Sequence, residues 1–151
     1  MNNDELKNNP YWQITLLSSR LKHDVAQVAE QHGLAPSQMH ALLLVEPKKQ
    51  IAMNQLSCMI SCDASYITSI VDKLTNLGYI RRQESSLDRR IKTIELTKEG
   101  VVFRAKLIRD FNDFYRHQSQ LQDIGTDITD ALEKIVAITT VKAINKNTPT
   151  T

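Results

Sequence analysis

Asp88, Arg89 and Arg90 place one carboxylate and two guanidinium groups in a row within LDRRIKTIELTKEG, residues 87–100. A guanidinium is permanently charged and presents a planar fork of N–H donors, which suits gripping phosphate or base edges better than bond-breaking chemistry. A second polar group, Ser65, Tyr66, Thr68 and Ser69 with Lys73 one turn on, offers hydroxyls that donate or accept, and an ammonium. Cys58 and Cys62 lie four residues apart with no second pair nearby, so neither a disulfide framework nor a four-ligand zinc site is expected. His23, His32, His40 and His117 are scattered along the chain. No nucleophile elbow, phosphate-cradling glycine loop, dinucleotide turn or metal-ligand pair is found. The expectation is a binding protein, not an enzyme, that needs no metal or cofactor.

These groups need elements to position them. Apolar residues at Ile14, Leu17, Leu21, Val25 and Val28 recur every three or four positions, predicting a helix from about Tyr11 to His32 that Gly33 stops. Pro36 opens a second helix reaching Val45, with Met39, Leu42 and Leu43 as its apolar side. Ile51–Met53 suits a very short strand. Asn54 is expected to cap a short helix carrying Leu56 and Ile60, and Asp63 a longer one. In the longer helix Ile67, Ile70, Val71, Leu74 and Leu77 form one apolar stripe, ended by Gly78. Two helices joined by so short a turn make a helix-turn-helix.

The period then changes from helical to alternating. Residues 79–83 and 91–96 read as two strands flanking a polar loop, with Ile94 and Leu96 on one face. Thr97 caps the helix that follows, Lys98 to Gln118, and a last helix is expected from Asp127 to Asn145. Their seams run through Val101, Ala105, Ile108, Phe111 and Tyr115, and through Ile128, Leu132, Ile135, Ile138 and Val141. A helix-turn-helix followed by a hairpin is a winged helix, so Asp88 to Arg90 fall at the wing tip. A projecting arginine suits the narrow, negatively charged minor groove of DNA. Asp88 would repel phosphate unless its carboxylate orients a guanidinium of its own hairpin, and Arg90 is the expected partner.

Composition sets the frame. The chain has 151 residues, 41% apolar and 24% charged, with four glycines and four prolines, a balance that favours helices over a loop-rich sandwich. The polar start, MNNDELKNNP, is neither a signal peptide nor an anchor, and no apolar run approaches the ~20 residues of a membrane span. A cytoplasmic protein is expected. Net charge is only +2, but residues 81–92 alone hold five basic and two acidic side chains, a local surplus of +3 that an anionic partner would feel.

The run Asp88-x-Arg90-x-x-x-Ile94-x-Leu96-Thr97-x-x-Gly100 resembles the wing signature of the MarR family of bacterial transcription regulators. The stretch MNQLSCMISCDASYITSIVDKLTNLGYIRR resembles that family's helix-turn-helix, with Leu56, Ile67, Val71, Asp72, Leu74, Gly78 and Ile80 at the corresponding places. The resemblance implies a mainly α (α+β) fold: one domain over residues 1–151, with a winged helix at 34–97 and dimerisation helices at 10–33 and 98–146. It also implies a homodimer that binds double-stranded DNA, with Ser65, Tyr66, Thr68, Ser69, Lys73, Arg89 and Arg90 facing the duplex and Asp88 orienting the wing. Relatives often carry a basic residue where Ser69 stands, and its absence shifts weight from the helix to the wing; they also often carry a proline, which would stiffen the tip, where Ser85 and Ser86 stand.

A small-molecule effector, often aromatic or phenolic, is implied in a crevice beside the dimerising helices; Trp12, Met39 and His40 lie on elements able to line it. Two other readings compete. One is redox sensing through Cys58 and Cys62; the position of Cys62 is normally apolar, whereas Cys58 lies on a helix side without other apolar residues. The other is a winged helix used to bind protein, with the hairpin arginines meeting acidic residues. The small, polar Ser65–Ser69 face argues for a groove rather than a protein interface.

Overall fold

The computed structural model describes residues 3–85, 88, 90–118 and 129–137. Two compact units, residues 1–36 and 37–151, are described in turn. In the first, a short helix α1 (Asn3–Lys7) precedes α2 (Pro10–Gln31). The Asn9 side chain caps α2 by accepting from the amides of Tyr11 at 2.9 Å and Trp12 at 3.2 Å, and Pro10 gives up no hydrogen bond at the first position. Gly33, at φ +66°, closes the helix: its amide bonds the Glu30 carbonyl and the next amide, of Leu34, reaches back to Ala29. Val28 and Ala29 are buried, but Ile14 and Leu17 of the expected seam stand exposed beside Tyr11, Trp12 and Leu16.

The second unit contains α3 (Pro36–Leu44), β1 (Ile51–Ala52), α4 (Met53–Ile60), α5 (Ala64–Asn76), β2 (Ile80–Glu84), β3 (Lys92–Leu96) and α6 (Lys98–Gln118). A further helix, α7, covers residues 129–137. The remainder of the helix expected at 127–145 lies outside the described residues. The expected hairpin forms with Ile80 opposite Leu96 and Glu84 opposite Lys92. Residues 51–52 extend it to a three-stranded antiparallel sheet, β1-β3-β2. Ile80, Ile94 and Leu96 share its inner face, and Ile67, Ile70, Val71 and Leu74 of α5 are buried along with Met39, Leu42 and Leu56.

Three local expectations need correction. Asn54 does not cap α4; the helix starts at Met53 with Ala52 at the cap position, and Asn54 instead accepts from the neighbouring Gln55 amide. Leu77 does not continue the buried stripe: it is the C-cap of α5 and is 41% exposed, because the chain turns there through Gly78 at φ +78°. The seam of α6 is also displaced. Leu107, absent from the expected set, is fully buried, whereas Ala105 is exposed.

The join between α5, the sheet and α6 is tight. The Gly78 amide bonds the Thr75 carbonyl and the Tyr79 amide bonds Leu74, the same closure used at Gly33. Thr97 caps α6 through its hydroxyl, which accepts from the Gly100 amide at 3.0 Å and donates to the Gly78 carbonyl at 2.6 Å. Its own amide donates to the Tyr79 carbonyl at 3.0 Å. A Cβ at position 100 would sit 1.8 Å from that carbonyl oxygen, so only glycine fits. The Tyr79 ring stacks flat on Phe103, centroids 4.1 Å apart. Arg104 donates twice to the Leu43 carbonyl, at 2.8 and 3.2 Å, where α3 has unpaired acceptors and a negative dipole end.

Candidate nucleic-acid interface

Burying the apolar stripe of α5 leaves Ser65, Tyr66, Thr68, Ser69 and Lys73 exposed together on the opposite side. Asp63 starts the helix as expected: its carboxylate accepts from the Tyr66 amide at 2.7 Å and the Ser65 hydroxyl at 2.6 Å. Those bonds, the Ser65 hydroxyl foremost, hold the Asp63 carboxyl below the usual carboxylate range. The turn before it is short because Ser61 adopts a left-handed conformation, φ 57°. The Ser57 hydroxyl donates to the Cys62 carbonyl at 2.6 Å and braces that turn.

Counting donors narrows what this face offers. Ser65 donates to Asp63, Tyr66 donates to the Ser37 hydroxyl at 3.0 Å, and Thr68 donates to the Ala64 carbonyl at 2.8 Å. Each hydroxyl has one hydrogen, so in this arrangement the three present lone pairs outward. Lone pairs match the amino groups of cytosine and adenine in the major groove, not phosphate oxygens. Ser69 is exposed on the same side, and Lys73 extends the face toward the end of α5.

At the wing, the Asp88 carboxylate accepts from the backbone amide of Arg90 at 2.9 Å, and its carbonyl accepts from the Ile91 amide at 2.9 Å. The expected bond to the Arg90 guanidinium is therefore replaced by one to its main chain. Asp88 shapes the turn, the usual work of aspartate in such a place, and the exposed Arg90 side chain is left to point outward. Arg89, the other tip arginine, lies outside the described residues.

Three of the five cations counted in residues 81–92 are matched by acids. Arg81 pairs with Glu95, Lys92 with Glu84 at 2.9 Å and Arg82 with Asp72 at 2.6 Å. Glu95 also accepts from Gln83 at 2.6 Å, and Gln50 bonds both Gln83 and Glu95, so the outer face of the sheet is tied by its own polar groups. Positive charge available to a partner thus lies at the tip and on Lys73, not along the hairpin. The Arg82–Asp72 link was not among the expected site features. The signal for it was the strand period, which puts Arg82 on the inner face with Ile80, toward α5.

Cys58 and Cys62 are both half-buried, with Met53, Asn54, Ser57 and Ile67, in a cleft of about 460 Å³ between α4 and α5. Burial pushes the Cys62 thiol up, away from the reactive thiolate that redox sensing needs. Met39, expected near an effector crevice, is a core residue at 1% exposure, whereas His40 and Trp12 are exposed. No group of three His, Cys, Asp or Glu side chains is placed to hold a metal among the described residues. Among those residues no helix is long and apolar enough to cross a membrane.

Comparison with known proteins finds relatives of the same architecture. The family model described as MarR family matches residues 34–92, from just before α3 to the first residue of the return strand of the wing. The chain is 34% identical over 76 residues to the HTH-type transcriptional regulator PapX of Escherichia coli, an alignment covering 50% of this chain and 46% of PapX. It is 28% identical over 107 residues to the transcriptional repressor MprA of E. coli K12, covering 66% of this chain and 61% of MprA. The chain thus spans about half to three-fifths of the length of these curated relatives. The crystal structure of CouR from Rhodococcus jostii RHA1, bound to p-coumaroyl-CoA, superposes with a TM-score of 0.74 over 97% of this chain and 98% of that one, at 19% identity. At that identity the likeness establishes the fold.

Proposed function

We propose, from the match of its winged helix to the MarR family model over residues 34–92, that this chain is a sequence-specific DNA-binding transcription regulator, acting as a homodimeric repressor on an inverted repeat. The observation that carries the reading is the pairing of a small, hydroxyl-rich helix face, Ser65 to Ser69 with Lys73, with a wing whose tip presents Arg90. The helix lies in the major groove and reads base edges there. Arg90, with Arg89, enters the flanking minor groove, where a guanidinium gains from the concentrated negative potential.

Two subunits present two such readers about one helical turn apart, ~34–36 Å, so the operator is palindromic. The exposed apolar residues of α2, from Tyr11 to Leu17, and those of α7, Leu132, Ile135 and Val136, support a second copy as the cover of these faces. Repression accords with the similarity to MprA, a transcriptional repressor. A small aromatic or phenolic effector releases the operator by binding one spacing of the two readers more tightly than the other. The p-coumaroyl-CoA held by CouR supports an effector of that general kind.

The test is selection of duplexes from a random pool by the purified chain, with light scattering for its mass and mobility shifts across salt concentrations. The expected result is a dimer that enriches a palindrome and loses affinity steeply as salt rises. A monomer that retains no duplex in dilute buffer overturns the reading.

A further inference from the structure

The Arg82 side chain joins the wing to the recognition helix. Its guanidinium meets the Asp72 carboxylate at 2.6 Å and the Thr68 carbonyl at 3.4 Å, two groups one turn apart on α5. It sits on the inner face of β2, one step outward from Ile80, which is 2% exposed, and opposite Ile94, which is 1% exposed. The buried apolar inner face of the sheet ends there. Further out, the side chains of the hairpin bond within the wing: Glu84 with Lys92, and Asp88 with the Arg90 amide. At the base, Thr97 ties the strand ends to Gly78 and Tyr79.

We infer that Arg82 is a positioning residue: through Asp72 and Thr68 it sets the angle of the wing against the recognition helix, so that helix and tip engage the duplex as one unit. The inference rests on the DNA-binding reading above. Leverage gives it weight. At ~3.3 Å per residue the strand carries the tip roughly 10 Å or more past Arg82, so a swing of about 10° moves the tip by ~2 Å, against a minor groove ~6 Å wide. Slack of that size takes Arg90 out of the groove while leaving α5 in place. Arginine suits the task because its planar fork bonds a carboxylate and a carbonyl at once, which the single ammonium of lysine does less well.

Simple electrostatics predicts the opposite sign for one variant, which makes the inference easy to separate. Asp72→Asn removes a negative charge beside the duplex and frees a cation, so charge alone predicts tighter binding. The positioning role predicts weaker binding, by roughly tenfold, the scale of losing one well-placed contact. The probe is a duplex selected from a random pool by the wild-type chain. Hydroxyl radical reports the minor groove and dimethyl sulfate the major groove.

Asp72→Asn and Arg82→Gln are each expected to lose the minor-groove protection flanking the half-sites and keep the major-groove protection, with an unchanged melting temperature. Both sites are solvent-exposed enough, at 53% and 38%, for the variants to fold. The swap Asp72→Arg with Arg82→Asp is expected to restore much of the wing footprint. If Asp72→Asn binds as tightly as wild type or tighter, with the wing footprint intact, the inference is wrong although DNA binding stands. If the wild-type chain protects neither groove, it is the DNA-binding reading that fails.

Discussion

Gly100→Ala is expected to destabilise the protein although alanine is the better helix former. Position 100 lies in the first turn of α6, where exchanging glycine for alanine gains about 1 kcal/mol from propensity alone. Against this, the new methyl carbon would stand 1.8 Å from the Tyr79 carbonyl oxygen and 2.8 Å from its carbonyl carbon. Those are backbone atoms and cannot rotate aside. Moving them away loosens the Thr97 amide bond to the same oxygen, worth about 0.5–1.5 kcal/mol, and the Tyr79–Phe103 ring pair, worth a similar amount. Overpacking itself costs about 1–3 kcal/mol. The net is a loss of about 1–5 kcal/mol, which for a chain of this size lowers the melting temperature by roughly 2–20 °C. Urea and thermal unfolding followed by circular dichroism measure it. Ala105→Gly, at an exposed position of the same helix, is the control and should cost only the propensity term, about 1 kcal/mol. If Gly100→Ala is as stable as wild type or more so, the close approach of α6 to Tyr79 is not real.

Arg90→Ala should weaken binding to the selected duplex by about 1–3 kcal/mol in a mobility-shift titration while leaving melting unchanged; equal affinity would remove the wing from the interface. Asp63→Ala should lower the melting temperature at neutral pH, because it removes the cap of α5. Its folded carboxyl titrates below the ordinary range, so the wild-type advantage is complete above the unfolded value and shrinks as pH falls through the folded one. An advantage that persists in strong acid would refute a charged cap. In the Cys58→Ser variant, Cys62 should alkylate with iodoacetamide more slowly than a free thiol, with its pH midpoint displaced upward. Rapid alkylation at neutral pH would instead revive redox sensing.

Periodicity made most of the fold legible. The stripe from Ile67 to Leu74 and the alternation at Ile94 and Leu96 each require one face to be buried, and a one-residue shift of either would expose it. Turn chemistry was legible for the same kind of reason, since Gly33 and Gly78 stand at positive φ and Asp63 and Thr97 each cap a helix with a side-chain oxygen. The failures have a common cause. Asn54 can cap a helix in principle, but β1 pairs with β3 immediately before it and sets the first turn of α4 one residue earlier. Leu107 could not be told from its neighbours on α6, because that helix has apolar residues on two sides and a sequence does not say which side its own chain covers.

Charge was the least legible property, and the reason bears on function. A count along residues 81–92 finds a surplus because it stops short of Asp72 and Glu95, the acids that answer Arg82 and Arg81 across the fold. A hairpin with all its arginines free would attract any polyanion along its whole length. Here the inner arginines are consumed in fixing the wing to α5 and to its own sheet. The cation left exposed on the described part of the tip is Arg90, with its main chain held by Asp88. A guanidinium at the end of a braced finger discriminates by shape, because it gains only where the groove is narrow and at the right distance from the helix. Under the proposed DNA-binding reading, pairing the hairpin's other charges exchanges general affinity for dependence on the geometry of the site, as selection of one operator among a genome of phosphates would require.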